Sequence, residues 1–184
     1  MRNTAIQEIF NIAKKDKNLM LLTGDLGFGV FEDFEKKFPK QFLNVGVAEQ
    51  NMAMIAAGLS LQGKKVFIYS IGNFPTLRAL EQIRNDICYH NLNVTIISVG
   101  VGFSYGQLGM SHHMTEDTAI MRALPNMTIV SPSTLDDVSN AIHALYALKS
   151  PSYIRLDKSF AELNLKKNTF KLGHFQECTY GNDV

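Results

Sequence analysis

The chain has 184 residues, 46% apolar and 19% charged, a composition suited to one ordinary folded domain and unlike that of a disordered segment. A formal net charge of +1 gives no reason to invoke nucleic acid or an anionic membrane as partner. No apolar run is long enough to span a bilayer, the polar N-terminal stretch does not read as a secretory leader, and Cys88 and Cys178 lie too far apart to form a metal-spacing pair. A cytoplasmic protein with reduced thiols is the expectation.

Asn3 is placed as the cap of a first helix that carries Ile6, Ile9, Phe10 and Ala13 on one face. Leu19 to Asp25 reads as a strand. The Gly- and Phe-containing stretch 27–40 reads as loop plus a short helix stopped by Pro39. A second strand covers Gln41 to Gly46. A small-residue helix follows, with Met52, Ile55, Ala56 and Leu59 at helical spacing and Gly63 as its stop. Next come a strand over Lys65 to Ser70, a helix over Pro75 to His90, and a strand over Val94 to Gly100. A long Gly-rich loop then runs to His113. The spacing predicts a helix over Thr115 to Leu124, a strand in MTIVSP, a helix from Thr134 with Asp136 and Asp137 in its first turn, and a last strand in SYIRLD. Helices alternate with mostly continuous apolar strands, so the fold class is α/β, an open and mainly parallel sheet with helices on both faces. Ligands of such sheets sit beyond the carboxyl ends of the strands.

Glu49 lies there, in the first turn of an otherwise apolar helix. The helix N-terminus favours its carboxylate and desolvation favours the acid, a balance suited to exchanging a proton with a bound base. Position alone favours the plainer reading, a carboxylate that only complements the helix dipole. GVGFSYG after the fourth strand has the wrong glycine spacing for a dinucleotide loop and no helix directly behind it. There is no Walker loop, metal-ligand cluster or Gly-x-Ser-x-Gly turn.

The stretch NVGVAEQNMAMIAAGLSLQGKKVFIYS resembles the signature of the transketolase and deoxyxylulose-phosphate synthase group, and the likeness extends over roughly Leu19 to Lys158. It implies the pyrimidine-binding domain of a thiamine diphosphate enzyme, over residues 1–160. Residues 161–184 would be a linker toward a third domain, entered at YGNDV. In that family the glutamate matching Glu49 hydrogen-bonds a ring nitrogen of the aminopyrimidine and promotes the tautomer that activates the cofactor. FPTLRALEQIRNDICYH resembles the helix bearing the aromatic floor of the pyrimidine pocket, with Phe74 stacking on the ring. YSIGNFP needs a small shift against the family's Ser-Thr-Phe. GMSHH resembles Gly-Pro-Thr-His-Gln and puts His112, in preference to His113, against the donor's oxygen. Asp25 matches an acidic position near the cofactor, and a turn-forming Asp is the plainer alternative. PSYIRLDK resembles a Pro-Ser-x-x-Arg strand whose Arg155 and Lys158 would bind a substrate phosphate or other anion; an ordinary solvated strand end serves the pattern equally. Leu108 departs from the family at an Asp that reads a sugar hydroxyl.

The diphosphate-binding signature, Gly-Asp-Gly with a later Asn, is missing from this sequence. The resemblance therefore implies a transketolase-like transferase moving a two-carbon ketol unit between sugars or sugar phosphates, active only with a separate diphosphate-binding N-terminal subunit that holds the Mg²⁺. A heterotetramer of two plus two is the expected assembly, with a homodimer open to the isolated chain. The beta subunit of a 2-oxoacid dehydrogenase and a non-catalytic module retaining the fold are the alternatives.

Overall fold

The computed structural model describes residues 1–158 and 170–174. Cys178 and the expected linker 161–184, apart from 170–174, lie outside the described residues. Six strands form one sheet: β1 (Leu19–Thr23), β2 (Phe42–Asn44), β3 (Lys65–Ile71), β4 (Val94–Val99), β5 (Thr128–Val130) and β6 (Ser152–Leu156). Their order is β2-β1-β3-β4-β6-β5 and every pairing is parallel.

Alternating side chains of these strands enter two separate cores. Leu21, Phe67, Tyr69, Ile97 and Ile154 meet α1 (Arg2–Ala13), α2 (Glu32–Lys37) and α6 (Leu135–Ala147) on one face. Leu22, Ile68, Ile96 and Tyr153 meet α3 (Glu49–Leu61), α5 (Asp117–Arg122) and the helical segment 74–88, called α4, on the other. Each fully buried aliphatic side chain contributes roughly 1.5–3 kcal/mol relative to exposure. Burial on both faces is why the strands read as unbroken apolar runs.

The chain leaves β1 for β2 on one side and returns to β3 on the other, with α2 and α3 on opposite faces. In open α/β sheets such a reversal marks the ligand crevice, which by that rule falls beyond the carboxyl ends of β1 and β3.

Three local expectations change. Asn3 does not cap the first helix: the helix already begins at Arg2, and the Asn3 side chain accepts a hydrogen bond from Arg2 Nε. The predicted 115–124 helix shortens to Asp117–Arg122. The 75–90 helix is irregular, with π turns at Phe74–Arg78 and Ile83–Cys88 around a short α turn at Leu80–Gln82. A π turn holds one more residue than an α turn.

Candidate functional site

Glu49 opens α3 at the crevice, and its side chain is only 1% exposed. Oε2 accepts a hydrogen bond from Arg78 Nη1 at 2.7 Å, whereas Oε1 is buried without a partner. The bare backbone of Gly24, at the end of β1, flanks this oxygen; a methyl group there would sit 3.5 Å from Oε1 and cover it with hydrocarbon.

Arg78 also sits over Phe74, its guanidinium carbon 4.3 Å from the ring centroid. The half-buried His112 approaches the same ring edge-on, with centroids 5.1 Å apart. His112 Nδ1 is 3.0 Å from Ser111 Oγ, and Asn73 Nδ2 donates to the Ser111 carbonyl at 2.6 Å, which ties the histidine turn to the end of β3. Glu49, Phe74 and His112 thus come together from three separate segments, with Arg78 between the first two. His113 turns away, its ring 5.0 Å from Phe103.

The loop 101–114 is closed by a pair of hydrogen bonds, Gly102 N to the Met114 carbonyl at 2.7 Å and Met114 N to the Gly102 carbonyl at 2.8 Å. Met114 is buried against Gly72, where a Cβ would fall 1.8 Å from its Cε, so any side chain there would force the methionine to move. Beneath it, Tyr153 Oη donates to Asp117 Oδ2 at 2.8 Å, and Arg155 Nε donates to the same oxygen at 2.7 Å. Burial, then the Asp117 charge, hold the Tyr153 phenol well above its usual range.

Arg155 therefore faces inward, with a further bond from Nη2 to the Met114 carbonyl at 3.4 Å. The strand pattern could not reveal this partner, because Asp117 lies 38 residues away. Lys158 is exposed and stands apart from Glu49: its Nζ lies 3.9 Å over the Tyr105 ring and donates to the Ser104 carbonyl. Tyr105 in turn is 6.4 Å from His112, centroid to centroid. Asp25 is exposed at φ 57°, where Asn44 clamps it: Asp25 N donates to Asn44 Oδ1 and Asn44 Nδ2 donates to Asp25 Oδ1, both at 3.0 Å. It closes the ends of β1 and β2. Leu108 is half exposed at the end of a short turn, Gly106–Leu108.

Two buried oxygens without partners, Glu49 Oε1 and Asn73 Oδ1, near an aromatic face fit a planar heteroaromatic ring that carries N–H donors. Among the described residues, no group of three or more His, Cys, Asp or Glu side chains could hold a metal ion. None of their helices is long and apolar enough to cross a membrane. Four exposed apolar side chains, Phe28, Val47, Phe103 and Met110, stand in the loops at the carboxyl ends of the strands. Sequence reasoning missed Arg78 and Asn73; the placement of Arg78 four residues beyond Phe74, on a common helical face, was the available signal.

Residues 1–162 match the family described as the pyrimidine binding domain of transketolase. The chain is 39% identical, over its full length, to a protein of Methanocaldococcus jannaschii with the provisional name transketolase C-terminal section, of which it covers 60%. It is 35% identical over 86% of its length to one subunit of the apulose-4-phosphate transketolase of Phocaeicola vulgatus, covering 51% of that protein. A solved split-gene transketolase, an inactive β4 tetramer, superposes with a TM-score of 0.82 at 34% identity, over 94% of this chain and 56% of that one. The chain thus spans little more than half the length of these relatives.

Proposed function

The chain belongs to the transketolase pyrimidine-binding domain family, and from that premise we propose that it supplies the pyrimidine-holding half of a thiamine diphosphate site in a split transketolase-like transferase. The observation that carries this reading is Glu49: a buried carboxylate at a helix start, one oxygen without a partner, with Phe74 and His112 gathered nearby. When bound, thiamine diphosphate supplies the electron sink for moving a two-carbon ketol unit.

This chain's residues bind and orient around that chemistry. Glu49 holds or accepts a proton at Oε1 toward a ring nitrogen. Phe74 offers a ring face for stacking, and His112 directs an N–H or lone pair at the donor's oxygen. Arg155 secures Asp117 and the Met114 carbonyl, and so keeps the His112 loop in place. Lys158 is the exposed cation available to an anionic substrate group. Asp25 and Asn44 fix the rim next to Gly24, from which Asp25 would approach the cofactor. Leu108, in place of an acceptor for a sugar hydroxyl, points to a sugar or sugar phosphate read differently from the usual pentose.

Residues 1–160 form this half-site, and the segment beyond leads toward a further domain. The diphosphate and its Mg²⁺ come with a second, N-terminal subunit in a heterotetramer. The apolar side chains Phe28, Val47, Phe103 and Met110 around the crevice support such a cover, and a relative named as one subunit of a transketolase is consistent with it. The buried Cys88 thiol suits a reducing, cytoplasmic setting.

The test is reconstitution with a diphosphate-binding subunit and assay with ketose donors. Glu49→Ala is expected to lower kcat by about 10²–10⁴-fold, the range of a lost acid–base group, with assembly unchanged. Near-normal turnover in that variant overturns the reading. A complex that forms but turns over no donor would identify a non-catalytic module, and preference for 2-oxoacid donors a dehydrogenase beta subunit.

A further inference from the structure

Arg78 takes no part in the chemistry proposed above, yet it is the hydrogen-bond and ion-pair partner of the Glu49 carboxylate among the described residues. Its guanidinium does two things at once. One edge donates to Glu49 Oε2 at 2.7 Å, and its central carbon sits over the Phe74 ring, 4.3 Å from the centroid. A planar group with N–H donors at its edge and a π face is also a description of an aminopyrimidine. The guanidinium covers the face of Phe74 that looks toward Glu49, so a ring that bonds Glu49 Oε1 and stacks on that face must displace it. Arg78 is itself 44% exposed, and its long side chain can swing into solvent without disturbing either core.

The geometry points to Arg78 as an exchangeable placeholder: its guanidinium occupies the position between Glu49 and Phe74 that a planar, N–H-donating heteroaromatic ring takes on binding. This rests on the proposed pyrimidine site and adds the residue that gates it. The placeholder has a physical purpose. A buried carboxylate left without a partner is costly, and Arg78 supplies one whenever the ring is absent. Arginine suits this better than lysine, because only the guanidinium both stacks and donates from a flat edge. The guanidinium is held only loosely, since a partly exposed ion pair and a cation–π contact near solvent are both weak.

The full 184-residue chain, without any partner subunit, tests this with 4-amino-2-methylpyrimidine as probe, titrated while the amide NMR shifts of Glu49, Phe74 and Ser111 are followed. Arg78→Met is expected to bind the probe about tenfold more tightly than wild type, the effect of removing those two competing contacts. Arg78→Lys, which keeps a charge for Glu49 and protects folding, is expected to fall between them. Adding Glu49→Gln to Arg78→Met is expected to remove the gain. Equal affinities in wild type and Arg78→Met, both lost with Glu49→Gln, overturn the placeholder and leave the pyrimidine site standing. Weaker binding in Arg78→Met makes Arg78 a ligand contact and overturns it too. No saturable shift in any variant overturns the inference together with the site it rests on.

Discussion

Glu49 and Cys88 show how much a single residue's chemistry depends on what surrounds it. At Glu49 the sequence supplied a helix-start carboxylate, and the resemblance of its neighbours supplied a role. The structure added what neither could: a 1% exposed side chain with one oxygen paired to Arg78 and the other without a partner. Arg78 escaped the sequence reading because an arginine beside a phenylalanine on a helix is ordinary, and nothing local says that a buried carboxylate lies across from both. Cys88 has the opposite character. Burial pushes its thiol from 9.0 up to about 11, with no partner offsetting the effect. A raised folded-state pKa stabilises the fold fully below pH 9, and this contribution is lost as pH rises toward about 11. The elevation alone cuts the thiolate fraction about a hundredfold at neutral pH. Alkylation of the Cys88 peptide at pH 8, followed by mass spectrometry, is therefore expected to be at least about a hundredfold slower in the native chain than in urea.

The helices differ in how legible they were. The start of α6 was written locally: Thr134 Oγ1 accepts from Asp137 N at 3.0 Å, and the Asp137 carboxylate accepts from Thr134 N at 3.1 Å. This reciprocal box needs no information from elsewhere in the fold. Thr134→Ala is expected to cost about 1 kcal/mol, visible as a lower urea midpoint with an unchanged slope. The first helix misled because Asn3 fits a capping preference, yet the helix starts at Arg2 with Met1 at the cap position and no side-chain cap bond. The π turns of α4 were not legible at all, since the pattern of apolar residues through 74–88 fits an α-helix as well. The segment packs against α3 and β3, contacts that no helical periodicity records. The loop 101–114 read correctly as loop, but its anchor did not. Met114 seated on Gly72, with Asp117, Tyr153 and Arg155 beneath, joins residues from positions 72 to 155 of the chain.

Across the whole molecule, the alternation of apolar strands and amphipathic helices was enough to give the α/β class and a parallel sheet with two covered faces. Stability follows from the same plan. Ile97 lies fully buried on central strand β4, facing α1 and α6 through the first core. Ile97→Ala is expected to cost about 2–5 kcal/mol, lost transfer energy plus a cavity, in equilibrium urea unfolding. By itself the sequence determined the class of fold, the order of its elements and the candidacy of Glu49, Phe74 and His112, because periodicity, caps and motif wording are carried by residues near one another in the chain. Only the tertiary structure decided the strand order with its crevice, the inward turn of Arg155, and the seat of Arg78 between Glu49 and Phe74. Those arrangements depend on which distant side chains share a boundary once two faces of one sheet are buried, and a linear pattern does not encode that choice. Glu49 and Arg78 are 29 positions apart in the chain and 2.7 Å apart in the fold.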